Sequence, residues 1–302
     1  MRTPQAQRQD VYRRITQEIV ATIEAGAGTW RRPWHHDGSA TTRPTNVASS
    51  RAYQGINRLV LWLAAQAHGY GSGLWGTYRT WLAEGAQVRQ GEKATTVVLW
   101  KEARSSRDDQ EQDAEDDTSR RRLFAKSFFV FNQQQVDNYE PKATAPGLPE
   151  SARLTHAEAF LAALHIPTTE GPYDAHYRPD LDRIFLPPFA AFDTPADHVA
   201  TLAHECAHGS GARHRLDRDL TGRFGSAAYA AEECIAELTA GFVLADLGIA
   251  HQPRPDHAAY LASWVEVMKS DPRAIFTAAA KAQAAADWMH QQQPQAAAAI
   301  EG

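Results

Sequence analysis

Residues 201–216 read "TLAHECAHGSGARHRL", and two histidines four apart with a glutamate after the first decide how the second half of the chain folds. Positions i and i+4 share one face of an α-helix, so His204 and His208 can offer ring nitrogens to one cation while Glu205 projects beside them. Apolar residues at Val199, Leu202, Ala203 and Cys206 predict that helix, and the glycines at 209 and 211 end it.

A zinc-type cation takes a third protein ligand and keeps a fourth position open for water, and Glu205 would then be the general base. Downstream, "EECIAEL" places Glu233 and Glu237 four apart on a second long predicted helix, "AAYAAEECIAELTAGFVLADLG", ended by Gly248. Glu233 is expected to ligate and Glu237 to orient a ligand histidine through its other ring nitrogen, with the two roles interchangeable on spacing alone. Glu232 is expected to face solvent. A rival exists, because "HECAHGSGARH" also fits H-E-x-x-H-x-x-G-x-x-H, with His214 as third ligand. That class needs a methionine turn beneath the cation. Besides Met1 the chain has only Met268 and Met289, both in helix-like surroundings, which favours Glu233.

Working outward, "LTHAEAFLAALH" predicts a helix, "DRIFLP" a short strand, and the stretch from His257 to Met289 two further helices. The prolines of "YEPKATAPGLPES" mark a linker over 141–150. Before it, "DVYRRITQEIVATIEAG" repeats Val11, Ile15, Ile19 and Ile23 every fourth residue, a helix capped by Asp10 and stopped at Gly26. "INRLVLWLAAQAHG" and "TYRTWLAEGAQ" also read as helices, and "TTVVLW" and "KSFFVFN" as strands. Between the strands, the charged tract 102–122 has no apolar period and reads as a mobile hairpin insert. The expected fold class is therefore α+β: an N-terminal α+β domain over 1–140, and over 151–302 a mostly helical domain with a small sheet.

Nowhere do eighteen uncharged apolar residues run together, which argues against a membrane span. Two cysteines, Cys206 and Cys234, are too few for a disulfide framework and suit small core positions in a reducing cytoplasm. The net charge of -5 hides an asymmetry, for residues 1–102 hold 13 basic and 7 acidic side chains. A basic half points to a polyanionic partner.

From "DVYRRIT" through "GAGTWRRPW", "YQGINRLVLW", "WGTYRTW" and "GAQVRQGEKATTVVLW" to "FFVFNQQQ", then from "HECAH" and "RLDR" to "YAAEECIAEL", the chain resembles the ArdC-type antirestriction proteins. The resemblance implies an N-terminal domain similar to that of TraC-type plasmid primases, which binds single-stranded DNA, and a zincin-like metallopeptidase fold behind it. It further implies protection of incoming plasmid or phage DNA against host restriction. It places metal ligands at His204, His208 and Glu233, with Glu205 in the acid and base position. Two departures stand out: Gly209 where relatives usually carry an aromatic residue, and Ala212 where they often carry histidine.

Single strands are held by basic grooves and stacking rings. Arg31, Trp34, Arg51, Tyr53, Asn57, Arg58, Tyr78, Arg79 and Lys93 are the expected contacts, with "RAYQGINR" the densest cluster around a glycine turn. Three functions follow: an antirestriction protein masking DNA, a DNA-tethered metalloprotease acting on DNA-bound proteins, and a primase accessory factor. Zinc or another divalent ion, single-stranded DNA, and a protein substrate or host restriction factor are the expected partners.

Overall fold

The computed structural model describes residues 4–25, 43–102, 123–141, 148–223, 226–249 and 258–294. The chain opens with helix α1 (Pro4–Ala25), which begins before Asp10, so that residue lies inside the helix and is not its cap. The fourfold apolar repeat does what its period requires: Ile15 and Ile19 are buried, with Val11 and Ile23 packed at the margin. Short β1 (Thr45–Asn46) leads to α2 (Ile56–His68), which ends on Gly69 in the left-handed conformation. Then come β2 (Leu74–Gly76), α3 (Tyr78–Ala83), β3 (Gln87–Val88), β4 (Thr95–Glu102), β5 (Leu123–Asn132) and β6 (Val136–Asp137).

β4 and β5 form the predicted antiparallel hairpin, in register from Thr95 opposite Val130 to Glu102 opposite Leu123. The tract 103–122 that joins them lies outside the described residues, as do Arg31 and Trp34. The hairpin belongs to a four-stranded sheet of order β1-β2-β5-β4, in which β1 and β2 run parallel. Sequence reading missed β1, β2, β3 and β6, because two or three residues are too few to show an alternation.

The second region begins with α4 (Glu150–Ala162) and a small sheet of β7 (Thr168–Glu170), β8 (His176–Arg178) and β9 (Arg183–Leu186), ordered β7-β9-β8. Only β9 was legible. Then α5 (Pro195–Gly209) and α6 (Ala227–Leu247) run to α7 (Ala258–Ser270) and α8 (Ala274–Gln291). Thr194 and Ser226 cap α5 and α6 by accepting from the backbone N–H three residues on.

The two regions share one apolar core. Ile15 and Ile19 of α1, Leu59, Val60 and Trp62 of α2, and Phe242, Ala279, Ala282 and Met289 of α6 and α8 belong to a single buried cluster. Arg58 crosses the same boundary. Its guanidinium is 2 % exposed and donates to the Phe242 carbonyl at 3.1 Å and to Asp246 Oδ1 at 3.1 Å. Among the described residues no helix is long and apolar enough to cross a membrane.

Candidate metal centre and nucleic-acid face

α5 and α6 lie against each other, and their facing sides bring His204, His208 and Glu233 together. The Nε2 atoms of His204 and His208 are 3.2 Å apart, and each is 3.5 Å from a Glu233 carboxylate oxygen. Tetrahedral donors at bond lengths of about 2.1 Å stand roughly 3.4 Å from one another, so the spacing suits one cation. Burial opposes charging of these imidazoles, but hydrogen bonds to carboxylates outweigh it. His208 is raised to about 9 by Glu232 and Glu233, and His204 rises well above its usual value beside Glu233 and Glu237. Burial alone would raise Glu233, yet the two histidines hold it well below the usual carboxylate range. The cluster is electrostatically tuned for a positive charge.

Behind it sits a second set of groups. Glu237 Oε1 is 3.3 Å from Nδ1 of His204, the position expected of an orienting carboxylate. Glu232, expected in solvent, is instead 9 % exposed, with Oε1 3.3 Å from Nδ1 of His208. Arg218 explains its burial: the guanidinium donates to both Glu232 oxygens at 2.7 and 3.1 Å, and to the Ala207 carbonyl at 2.7 Å. A Cβ on Gly211 would lie 2.8 Å from that guanidinium, so the bare glycine leaves room for Arg218 where it sits. His214 is 63 % exposed and leans on Asp182 at 3.4 Å, and it is not among the converging donors. Glu232→Gln and Arg218→Ala should each weaken divalent-cation binding about 10- to 100-fold, measured by competition with a chromophoric chelator. Affinity equal to wild type in both would mean that Glu232 does not orient His208.

The donors open on a cavity of about 280 Å³ that Glu205, Tyr177, His176 and Tyr229 also line. Glu205 is 3 % exposed and is not among the cluster's donors. Arg215 braces the wall, donating to both Asp182 oxygens at 2.6 and 2.9 Å and to the Gly209 carbonyl at 2.8 Å. Tyr177 donates to the same Asp182, and burial with that bond pushes its hydroxyl up to about 12. Cys206 and Cys234 are both buried, as their size suggested.

Comparison with known proteins accords with this geometry. Residues 9–131 match the family described as the N-terminal domain of anti-restriction factor ArdC, and residues 155–281 match the zincin-like metallopeptidase family. The chain is 55 % identical to protein y4eC of Sinorhizobium fredii over 98 % of its own length and 96 % of that protein's. A crystal structure of metal-free antirestriction ArdC from plasmid R388 superposes with TM-score 0.77 at 36 % identity, covering 94 % of this chain and 97 % of that one. This chain belongs to the ArdC antirestriction family. The Mn(II)-bound structure of the same R388 protein aligns with TM-score 0.73 over 93 % of this chain and 97 % of that one. DNA primase TraC of Escherichia coli is 34 % identical over 92 % of this chain, which spans only 27 % of the primase.

Against the ArdC resemblance, Gly209 now has a reason. A Cβ there would meet Ile166 Cδ1 at 2.8 Å and the Tyr177 ring at 3.5 Å, so neighbouring side chains occupy the space.

The expected DNA contacts divide. Arg51, Tyr78, Arg79 and Lys93 are exposed, and Tyr53 is partly buried with its hydroxyl accepting from Asn46 at 3.3 Å. Arg58 is corrected: a guanidinium enclosed between the two regions cannot meet a phosphate. Asn57 is corrected too, since its amide donates to the Val98 carbonyl at 2.7 Å and accepts from the Val98 N–H at 2.8 Å, fastening α2 to β4. Trp75 and Trp81 are buried anchors of the first region.

Proposed function

We propose that this ArdC-family chain binds single-stranded DNA with its first region, protects incoming plasmid or phage DNA from host restriction, and holds a divalent cation in its second. The observation that carries the metal reading is the His204, His208 and Glu233 triad, spaced for one ion and backed by Glu237 and Glu232. The R388 relative, solved metal-free and with Mn(II), supports a divalent ion without selecting zinc. A bound cation would supply Lewis acidity, polarising a carbonyl and making water acidic enough to lose a proton near neutrality. Glu205, lining the same cavity, would accept that proton. The DNA reading rests on family membership, on TraC similarity, and on the exposed cations Arg51, Arg79 and Lys93.

A second reading is favoured by Glu205 itself: a purely structural metal site has no use for a buried carboxylate beside its donors. On that reading the chain is a DNA-tethered metallopeptidase acting on DNA-bound proteins. Plasmid transfer into a restricting host separates the two. Masking of DNA predicts that Arg51→Ala with Arg79→Ala and Lys93→Ala loses protection, while Glu205→Gln keeps it within about twofold of wild type. Loss of protection in Glu205→Gln alone would replace masking by hydrolysis.

A further inference from the structure

Where the two regions meet, a cleft of about 640 Å³ lies between the start of α2, the end of β4 and one side of α8. Its walls carry two kinds of group. Tyr12 is held edge-on against Phe276 at 4.6 Å and stands 5.8 Å from the ring of Trp100, which is 39 % exposed. Arg273 lies 5.2 Å over the Tyr12 ring, and Lys281 follows two turns along α8. Both cations are exposed, and among the described residues neither has a carboxylate within ion-pair distance. The acid of the cleft, Asp287, is engaged by the Gln283 amide at 2.8 Å, and Gln283 also accepts from the Gly55 N–H at 3.0 Å. The floor is thus fixed by bonds between the regions, while Trp100, Arg273 and Lys281 stand exposed above it.

An open aromatic face beside two unpaired cations is the chemistry that takes a base and its flanking phosphates. The geometry points to this cleft as a binding site for single-stranded DNA, in which Trp100 stacks on a base and Arg273 and Lys281 hold phosphate. The assignment rests on the DNA reading above and extends it: α8 of the second region forms part of the DNA track. Because α8 packs on α6, the strand would lie against the scaffold that carries Glu233.

Binding of fluorescein-labelled oligothymidine by the full chain tests this, with heat unfolding of each variant as the folding control. Trp100→Ala should weaken binding about 5-fold or more. Arg273→Ala with Lys281→Ala should weaken it roughly 10-fold and lower the slope of log affinity against log salt by about 1.4. Ultraviolet cross-linking of the unaltered chain to a bromouridine-bearing strand should label peptides of β4 and α8. Wild-type binding with both variants unchanged, or cross-links confined to α3 and the turn at 89–93, overturns the cleft alone. A wild-type chain that binds no oligothymidine overturns the cleft and the DNA reading together.

Discussion

Replacing His208 or Glu233 by alanine is expected to reduce divalent-cation affinity about a thousandfold, while Glu205→Gln leaves it within a few-fold of wild type. The asymmetry follows from position. His208 and Glu233 are two of three donors on α5 and α6, 3.5 Å apart, and loss of either leaves two groups that cannot define a site. Glu205 projects from the same helix turn as His204 but is not one of the converging donors. Equilibrium dialysis against Mn(II) or Zn(II), followed by elemental analysis, gives the stoichiometry directly. One ion per chain in wild type and in Glu205→Gln, with none in His208→Ala, is the expected pattern. Full occupancy in Glu233→Ala would move the third ligand elsewhere and reopen the choice between Glu233 and Glu237.

Elements with a sustained period were readable in the sequence. α1, α2 and α5 bury apolar faces that repeat along the sequence, α6 is buried all round from Cys234 to Leu244, and β4 and β5 are runs of β-branched and aromatic residues, so local pattern and final structure agree. The pairing of His204 with His208 was readable for the same reason, since helical spacing fixes which side chains share a face, whereas spacing left Glu233 and Glu237 on the second helix interchangeable. What local pattern cannot carry is burial set by a distant partner. Glu232 looked solvated because nothing near it shows that Arg218 and His208 will enclose it from the neighbouring helix and loop. Arg58 and Asn57 sit in a polar turn that resembles a phosphate cradle. Their bonds go instead to Asp246, 188 residues on, and to Val98 on an adjacent strand.

That misreading of Arg58 leads to the second large effect, on stability and not on DNA. Arg58→Ala is expected to destabilise the chain by about 3 to 5 kcal/mol, because it leaves Asp246 with a buried charge and strips donors from the Phe242 and Tyr53 carbonyls. The Asp246 side chain is only 9 % exposed, so water cannot replace the lost partner. Its other contacts, His290 at 3.2 Å and Arg43 at 3.6 Å, come from half-exposed groups and compensate little. Adding Asp246→Asn to Arg58→Ala removes the stranded charge and should recover part of the loss, a coupling of roughly 1 to 3 kcal/mol in a double-mutant cycle. Arg79→Ala, an exposed arginine of the same region, is the control and should cost less than about 0.5 kcal/mol. Urea unfolding followed by tryptophan fluorescence reports these three variants and Asp246→Asn alone, which completes the cycle. Equal midpoints for Arg58→Ala and Arg79→Ala would mean that the pair does not fasten α2 to α6. A normal midpoint with lost DNA affinity in Arg58→Ala would return this arginine to the DNA surface from which its burial has removed it.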